Sequence, residues 1–310
     1  MLHITSQTHQ LAYSWHGAME AIYRGHLYPQ AMVKDLLLEG DNSLLSRAAF
    51  IEGMGWGVKS VSVIPDNHQR GLPSIHGMMV LFDPETGIPI ATLDNAILTN
   101  LKTVADSLLG AALLAPKESR ILLIVGAGSV AKTLVEGYSA IFPDLKQILI
   151  WNRTQEKAAH LANHFVHHPI HVTHCDDLAK AAEQADIISA ATMTIEPILQ
   201  GEWFHEGQHI DLIGAFNAHM READDALLQK AEIYVDNFAT TLEHIGELKI
   251  PLQKGVITSE DIRGDFYHLI AQGYEPKSPK PRTSAPTLFK NGGGAHLDLM
   301  IAHYLYKLCQ

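Results

Sequence analysis

Arg120-Ile121-Leu122-Leu123-Ile124-Val125-Gly126-Ala127-Gly128-Ser129-Val130-Ala131 decides the fold of this 310-residue chain. Ile121 to Val125 is a short continuous apolar run, as expected of a parallel strand buried on both faces. It enters a G-x-G-x-x-A turn at Gly126, Gly128 and Ala131. Apolar residues then recur at helical spacing from Lys132 to Ile141, and Gln147 to Trp151 is a second apolar strand. Gly126 permits the tight bend, Gly128 lets backbone approach a pyrophosphate, and Ala131 lets helix and strand pack closely. The helix start, from Ser129 and Val130, offers free N–H groups to the phosphates. A glycine pattern alone would be weak. With strand, turn, helix and strand in the required order it predicts a dinucleotide site.

The second strand ends in Trp151-Asn152-Arg153-Thr154, and no acid lies between Ile148 and Thr154. An acid there serves the ribose 2′-hydroxyl of NAD, whereas a nearby arginine accommodates a 2′-phosphate. Arg153, helped by Asn152 and Thr154, therefore favours NADPH, with NADH left open.

Around this stretch the chain reads as two domains. Residues 1–115 predict a mostly antiparallel sheet: a short strand Met1 to Ile4, a helix from about Thr8 to Arg24, and strands Ala31–Leu38, Leu44–Ile51, Gly57–Ile64, His76–Phe82 and Pro89–Leu93. A helix from Asn95 to Leu114 leads to Pro116, where the nucleotide domain begins. That domain continues through alternating strands and helices to a sixth strand, Glu232 to Asp236. The fourth strand ends at Ala191-Thr192-Met193, where doubly wound sheets hold their ligand. Thr241 to Tyr274 reads as helical or irregular, and Lys277 to Pro286 as an exposed connection. Thr287 to Lys290, a glycine run and a last helix, Ala295 to Leu308, close the chain. The expected division is 1–115 plus 287–310 against 116–286.

Composition bounds the function. Hydrophobic content of 46% and mean hydropathy of +0.01 describe a soluble globular protein. No uninterrupted apolar span predicts a membrane crossing. A net charge of −11 and a pI near 5.9 argue against nucleic acid and anionic membranes as partners. Two distant cysteines, Cys175 and Cys309, form no disulfide framework and suit a reducing cytoplasm. The histidine-rich stretch around His167, His168, His171 and His174 reads as an edge strand, since alternation points His171 and His174 to opposite faces. No metal is expected.

Several landmarks together resemble the ornithine cyclodeaminase/mu-crystallin family: Gly57-Val58-Lys59-Ser60-Val61, Gly71-Leu72-Pro73-Ser74, and Leu98 to Ala105. The resemblance continues through the glycine turn, Ile213-Gly214-Ala215, Arg221-Glu222, Gly246-Glu247-Leu248 and Thr287-Leu288-Phe289-Lys290. It spans nearly the whole chain in order. It implies a Rossmann-type doubly wound sheet plus an α+β domain that binds substrate, forms a homodimer and is completed by the C-terminal helix. It also implies catalytic work for Lys59, a substrate contact at Ser74, and cofactor contacts at Thr103 and Ile213.

Two departures sharpen the expectation. Lys102 stands where the family usually has a carboxylate-clamping arginine, which keeps the charge and loses the planar fork. A further family arginine aligns with Lys34, with Arg47 as its rival. Phe216 stands where cyclodeaminases carry an aspartate that handles the substrate amine, so no base for deamination is evident. The run from Gly214 to Asp225 looks like the family's cyclic-imine reductases. The expected activity is NAD(P)H-dependent reduction of Δ1-pyrroline-2-carboxylate to L-proline, or of Δ1-piperideine-2-carboxylate to L-pipecolate. The rivals are an ornithine cyclodeaminase and a mu-crystallin-like protein binding NADPH and a small ligand.

Overall fold

The computed structural model describes residues 1–5, 12–276 and 284–310, which form two units. The first comprises Met1–Ala105 and Gly294–Gln310, the second Asp106–Gly293. The division thus falls inside a helix and just after a strand, rather than at Pro116 and Thr287.

The first unit is built on a six-stranded sheet. Its elements are β1 (Leu2–Ile4), α1 (Trp15–Gly25), β2 (Met32–Leu38), β3 (Ser43–Ile51), β4 (Gly55–Val63), β5 (Ile75–Phe82), β6 (Pro89–Asp94) and the first half of α2 (Asn95–Leu114). Strand order is β1-β6-β5-β4-β3-β2, antiparallel except for the parallel pair of β1 with β6. Residues 8–11 of the expected first helix lie outside the described residues. Its described part starts where Ser14 caps α1, accepting from the Gly17 N–H at 3.0 Å. The C-terminal helix Ala295–Leu308 packs on β3, β4 and α1, so the chain's end completes this unit.

α2 is long and apolar enough on average to cross a membrane, although Asn100, Lys102 and Asp106 interrupt its apolar run. Yet 78% of its apolar window is buried, which makes it a core helix.

The second unit is an eight-stranded, wholly parallel sheet. Its elements are β7 (Ile121–Val125), α3 (Ser129–Ile141), β8 (Gln147–Trp151), α4 (Gln155–His164), β9 (His171–His174), α5 (Leu178–Gln184), β10 (Ile187–Ala190) and β11 (His209–Leu212). There follow α6 (Asp225–Lys230), β12 (Glu232–Val235), α7 (Phe238–Thr241), α8 (Gly246–Lys254), β13 (Ile262–Gly264), α9 (Phe266–Ala271) and β14 (Thr287–Lys290), after which α10 is the C-terminal helix of the first unit. Strand order is β13-β12-β14-β11-β10-β7-β8-β9, with the histidine-bearing β9 at one edge. Leu123, Val125, Ile188, Ala190, Ile210 and Leu288 from adjacent strands form one buried core. This explains the continuous apolar run of β7, while β10 and β11 bury the polar Ser189, His209 and Asp211 among their apolar residues.

Two strands depart from the sequence reading. β14, assigned to the first domain, sits between β11 and β12 inside this sheet. β13 lies in the stretch expected to be helical or irregular and pairs with β12. Both are short, and their sheet partners lie far off in sequence, so local pattern does not reveal them. Of the expected connection Lys277 to Pro286, residues 277–283 lie outside the described residues.

Candidate active site

The dinucleotide turn belongs to the second unit. Gly126 adopts φ +114°, and its N–H donates to Trp151 O at 2.8 Å. A Cβ there would meet Ala191 O at 2.8 Å, so only glycine lets β7 turn this close to the end of β10. Asn152 holds the turn from the other side, accepting from the Ala127 N–H at 3.1 Å and donating to Thr154 O at 2.9 Å. Its amide is thus committed to shaping the turn. Gly128 caps α3 with no side-chain hydrogen bond, and a Cβ there would meet nothing within 4 Å. The open space and the uncapped first turn, with Ser129 and Val130, fit a pyrophosphate. Arg153 and Thr154 are exposed beyond β8, and Met193 is exposed beyond β10.

Beneath the loops that follow β10 and β11 lies a buried acid–lysine network. Glu222 accepts from the Thr192 N–H at 2.8 Å and Thr192 Oγ1 at 2.6 Å through one oxygen, and from the Gly214 N–H at 2.6 Å through the other. One carboxylate thus ties the two loops together. A Cβ on Gly214 would fall 1.8 Å from Thr192 O, so the loops touch backbone to backbone. Ile213, half-buried, donates its N–H to Ala190 O at 2.8 Å in the same region. Fully buried Lys290 donates to Leu212 O and Asn291 O, each at 2.8 Å. Burial pushes the Lys290 ammonium's pKa down, opposed by Glu222, Glu247, Asp236 and Asp211. Burial pushes Glu222 up to about 7, against the pull of Lys290. Lys290, Glu222 and Glu247 stood among the family landmarks without a role. The signal available was a charge placed inside apolar runs such as Leu288-Phe289-Lys290.

The first unit carries a separate cationic cluster. Lys59 is 6% exposed on β4, its Nζ donating to Asp298 Oδ1 at 2.8 Å and lying 2.7 Å from Oδ2. Asp298 is fully buried in the first turn of α10, where a carboxylate also faces the positive end of the helix. Arg47 pairs directly with Lys59 across β3 and β4, and Nε and Nη2 each lie 2.9 Å from Asp35 Oδ2. Lys102 on α2 is also 6% exposed, and no hydrogen-bond partner for it appears among the described residues. Burial lowers the Lys59 pKa, Asp298 opposes this, and Lys102 and Arg47 lower it further. Three cations thus face two carboxylates. His296, fully buried nearby, adds no charge, since burial pushes it down to about 3. Such a cluster has the charge to receive an anion.

Not every expected site residue joins it. Lys34 pairs with Ala48, so it projects from the face opposite Arg47 and Lys59 and is exposed. Arg47, the rival, shares the sheet face of Lys59 and stands directly opposite it. Ser74 lies beyond Val63, past the end of the strand that carries Lys59, with its carbonyl accepting from the Ile64 N–H at 2.8 Å. Thr103 follows Lys102 on α2 in the first unit, whereas the other expected cofactor residues are in the second. Phe216, 62% exposed, follows β11 in the second unit. Asp298 was missed altogether. Among the described residues no three His, Cys, Asp or Glu side chains group as a metal-ligand set.

The family model for ornithine cyclodeaminase/mu-crystallin matches residues 44–309. The Δ1-pyrroline-2-carboxylate reductase of Paracoccus denitrificans is 45% identical over 296 residues, covering 95% of this chain and 93% of that protein. Among solved structures, the Thermococcus litoralis Δ1-pyrroline-2-carboxylate reductase in complex with NADH and L-proline superposes with a TM-score of 0.90 at 27% identity, covering 100% of this chain and 97% of that one. An archaeal alanine dehydrogenase dimer with bound NAD also gives 0.90 at 27% identity, covering 100% and 96%.

Proposed function

This chain belongs to the ornithine cyclodeaminase/mu-crystallin family, and from that premise we propose that it is an NAD(P)H-dependent reductase of a small cyclic α-imino acid. The preferred substrate is Δ1-pyrroline-2-carboxylate, giving L-proline, with the six-membered Δ1-piperideine-2-carboxylate as a second. The observation that carries this reading is the cluster of buried Lys59 and Lys102 with half-buried Arg47, in which Lys102 has no hydrogen-bond partner among the described residues. A substrate carboxylate supplies the missing counter-charge. The 45% identity to a reductase of this imine supports the same substrate class.

The dinucleotide, when bound, supplies a hydride for the C=N carbon beside the carboxylate. Arg47 and Lys102 hold the carboxylate, and Lys59 donates a hydrogen bond or a proton toward the imine nitrogen. A protonated imine is already electrophilic, so the protein's work is positioning and charge complementarity. Gly126, Gly128, Ser129 and Val130 cradle the pyrophosphate. Ala191, Thr192, Met193 and Ile213 line the end where the central strands stop. Arg153, exposed and without an acid beside it in sequence, favours NADPH over NADH.

The chain assembles as a homodimer through the sheet face opposite Lys59. That face exposes Met32, Leu36, Leu38, Leu44, Trp56 and Met78, large apolar side chains that monomers rarely leave contiguous. Lys34 lies within it. The dimeric archaeal alanine dehydrogenase supports this assembly. Leu36→Asp should yield monomer by sedimentation if the face is the interface.

The test of the activity is direct. Purified protein given NADPH and Δ1-pyrroline-2-carboxylate should consume the reduced cofactor and release proline in equal amounts. A protein that binds NADPH and leaves the imine untouched would overturn the reductase reading.

A further inference from the structure

Lys59 sits in a field that works against its own charge. It is buried on β4; Arg47 from β3 stands directly opposite it, and Lys102 from α2 is near enough to lower its proton affinity. Met79, its partner on β5, carries no charge. Asp35 from β2 is engaged by Arg47. His296 on α10 stays neutral in its buried setting. Among the described residues, Asp298 is therefore the carboxylate left to hold the Lys59 ammonium, with both its oxygens within 2.8 Å of Nζ.

We propose that Asp298 is a positioning residue for imine reduction, fixing the Lys59 ammonium in place and in its protonated form. The inference rests on the reductase reading above and deepens it by naming what governs the proton. For an imine arriving neutral, Lys59 gives a proton from Nζ to the ring nitrogen as a hydride bonds to the adjacent carbon. The C=N π pair becomes the nitrogen's new N–H bond. Lys59, left as a neutral amine, regains its proton from water before the next turnover. Asp298 touches no reacting atom. An ammonium without it, crowded by Arg47 and Lys102, gives up its proton at lower pH.

The fold supports the assignment beyond the ion pair itself. The C-terminal helix delivers Asp298 back to the first unit from the far end of the chain, 239 residues from Lys59. The first turn of α10 stabilises the carboxylate's negative charge.

Two readouts test this in the full-length protein, comparing Asp298→Asn with wild type. The first is a carbon-13 NMR titration of lysine side chains, with Lys59 assigned by its loss in Lys59→Arg. Asp298→Asn should lower the Lys59 titration midpoint by about one to three pH units, as removal of an adjacent opposite charge does. The second is the pH profile of kcat/KM for the imine, whose basic limb should move to lower pH by a similar amount. Ionisation of the free imine is common to both proteins and cancels in the difference. NADPH affinity should stay within about twofold, and Asp298→Glu should restore part of the basic limb. Midpoint and limb both unmoved, with only thermal stability reduced, would make the pair purely structural and overturn the proposal. A wild-type protein inactive on the imine overturns the reductase reading instead, while the NMR titration still decides whether Asp298 governs the Lys59 proton.

Discussion

Arg47 and Lys59 face each other as direct partners across β3 and β4, and each is held by its own carboxylate, Asp35 and Asp298. Cross-strand partners in an antiparallel pair share one face of the sheet, so the two charges stand side by side. Like charges so placed repel, and Asp35 and Asp298 offset that repulsion within the fold. Lys102, buried and without a protein partner among the described residues, adds a third cation.

Arg47→Ala should therefore raise KM for the imine roughly tenfold to a hundredfold, the loss expected for a charge-assisted contact of about 1.5–3 kcal/mol. Lys34→Ala should leave kcat/KM within about twofold, because Lys34 lies on the opposite face. Steady-state kinetics on the two variants decides between them. Equal losses would return Lys34 to the site.

Arg153→Ala should weaken NADPH much more than NADH. Loss of a phosphate contact touches only the phosphorylated cofactor, and Asn152 is already committed to Ala127 and Thr154. Dissociation constants measured by nicotinamide fluorescence give the ratio. Equal weakening of both cofactors would remove Arg153 from the 2′-phosphate.

The contrast between Lys34 and Arg47 shows where the sequence stops being legible. The strands β2 and β3 are readable from composition, but which side chain reaches Lys59 depends on pairing register. A shift of one residue moves a side chain to the other face. The dinucleotide turn needed no such information, since Gly126, Gly128 and Ala131 act within one strand–turn–helix. β14 and Asp298 were illegible for the opposite reason. Their partners, β11 and Lys59, are remote in sequence.

Glu222→Gln should loosen the cofactor end of the second unit. A glutamine keeps the shape but turns an NH2 toward donors that a carboxylate accepted, Thr192 N–H or Gly214 N–H. NADPH affinity should fall about tenfold if the lost contact is worth near 1.4 kcal/mol. The pH dependence has a definite sign. Burial lifts Glu222 to about 7 in the folded chain, whereas an unfolded glutamate titrates near 4.3. Between about pH 4.5 and 7 the folded state thus binds more protons than the unfolded one, and this group's contribution to stability falls as pH rises. Thermal melts across that range should show a smaller decline in Glu222→Gln than in wild type. An identical slope would exclude Glu222 as its source.

Phe216 marks the position where a reductase and a deaminating relative are expected to differ. It follows β11 with its ring 62% exposed, and the chain offers no carboxylate at that position. A base is needed to take a proton from the amine of an amino acid before ammonia can leave, and a phenyl ring cannot serve. Unmodified protein incubated with L-ornithine and either dinucleotide should release no ammonia, while the same preparation oxidises NADPH with the cyclic imine. Phe216→Asp should lower kcat/KM for the imine if the substrate reaches this position, because a new carboxylate would repel that of the substrate and lose hydration beneath it. It should not produce a cyclodeaminase, since Lys102 still lacks the planar fork of an arginine. Ammonia and proline formed from ornithine by the unmodified protein would overturn the role assigned to Phe216. Full activity of Phe216→Asp on the imine would show that this side chain stays clear of the substrate.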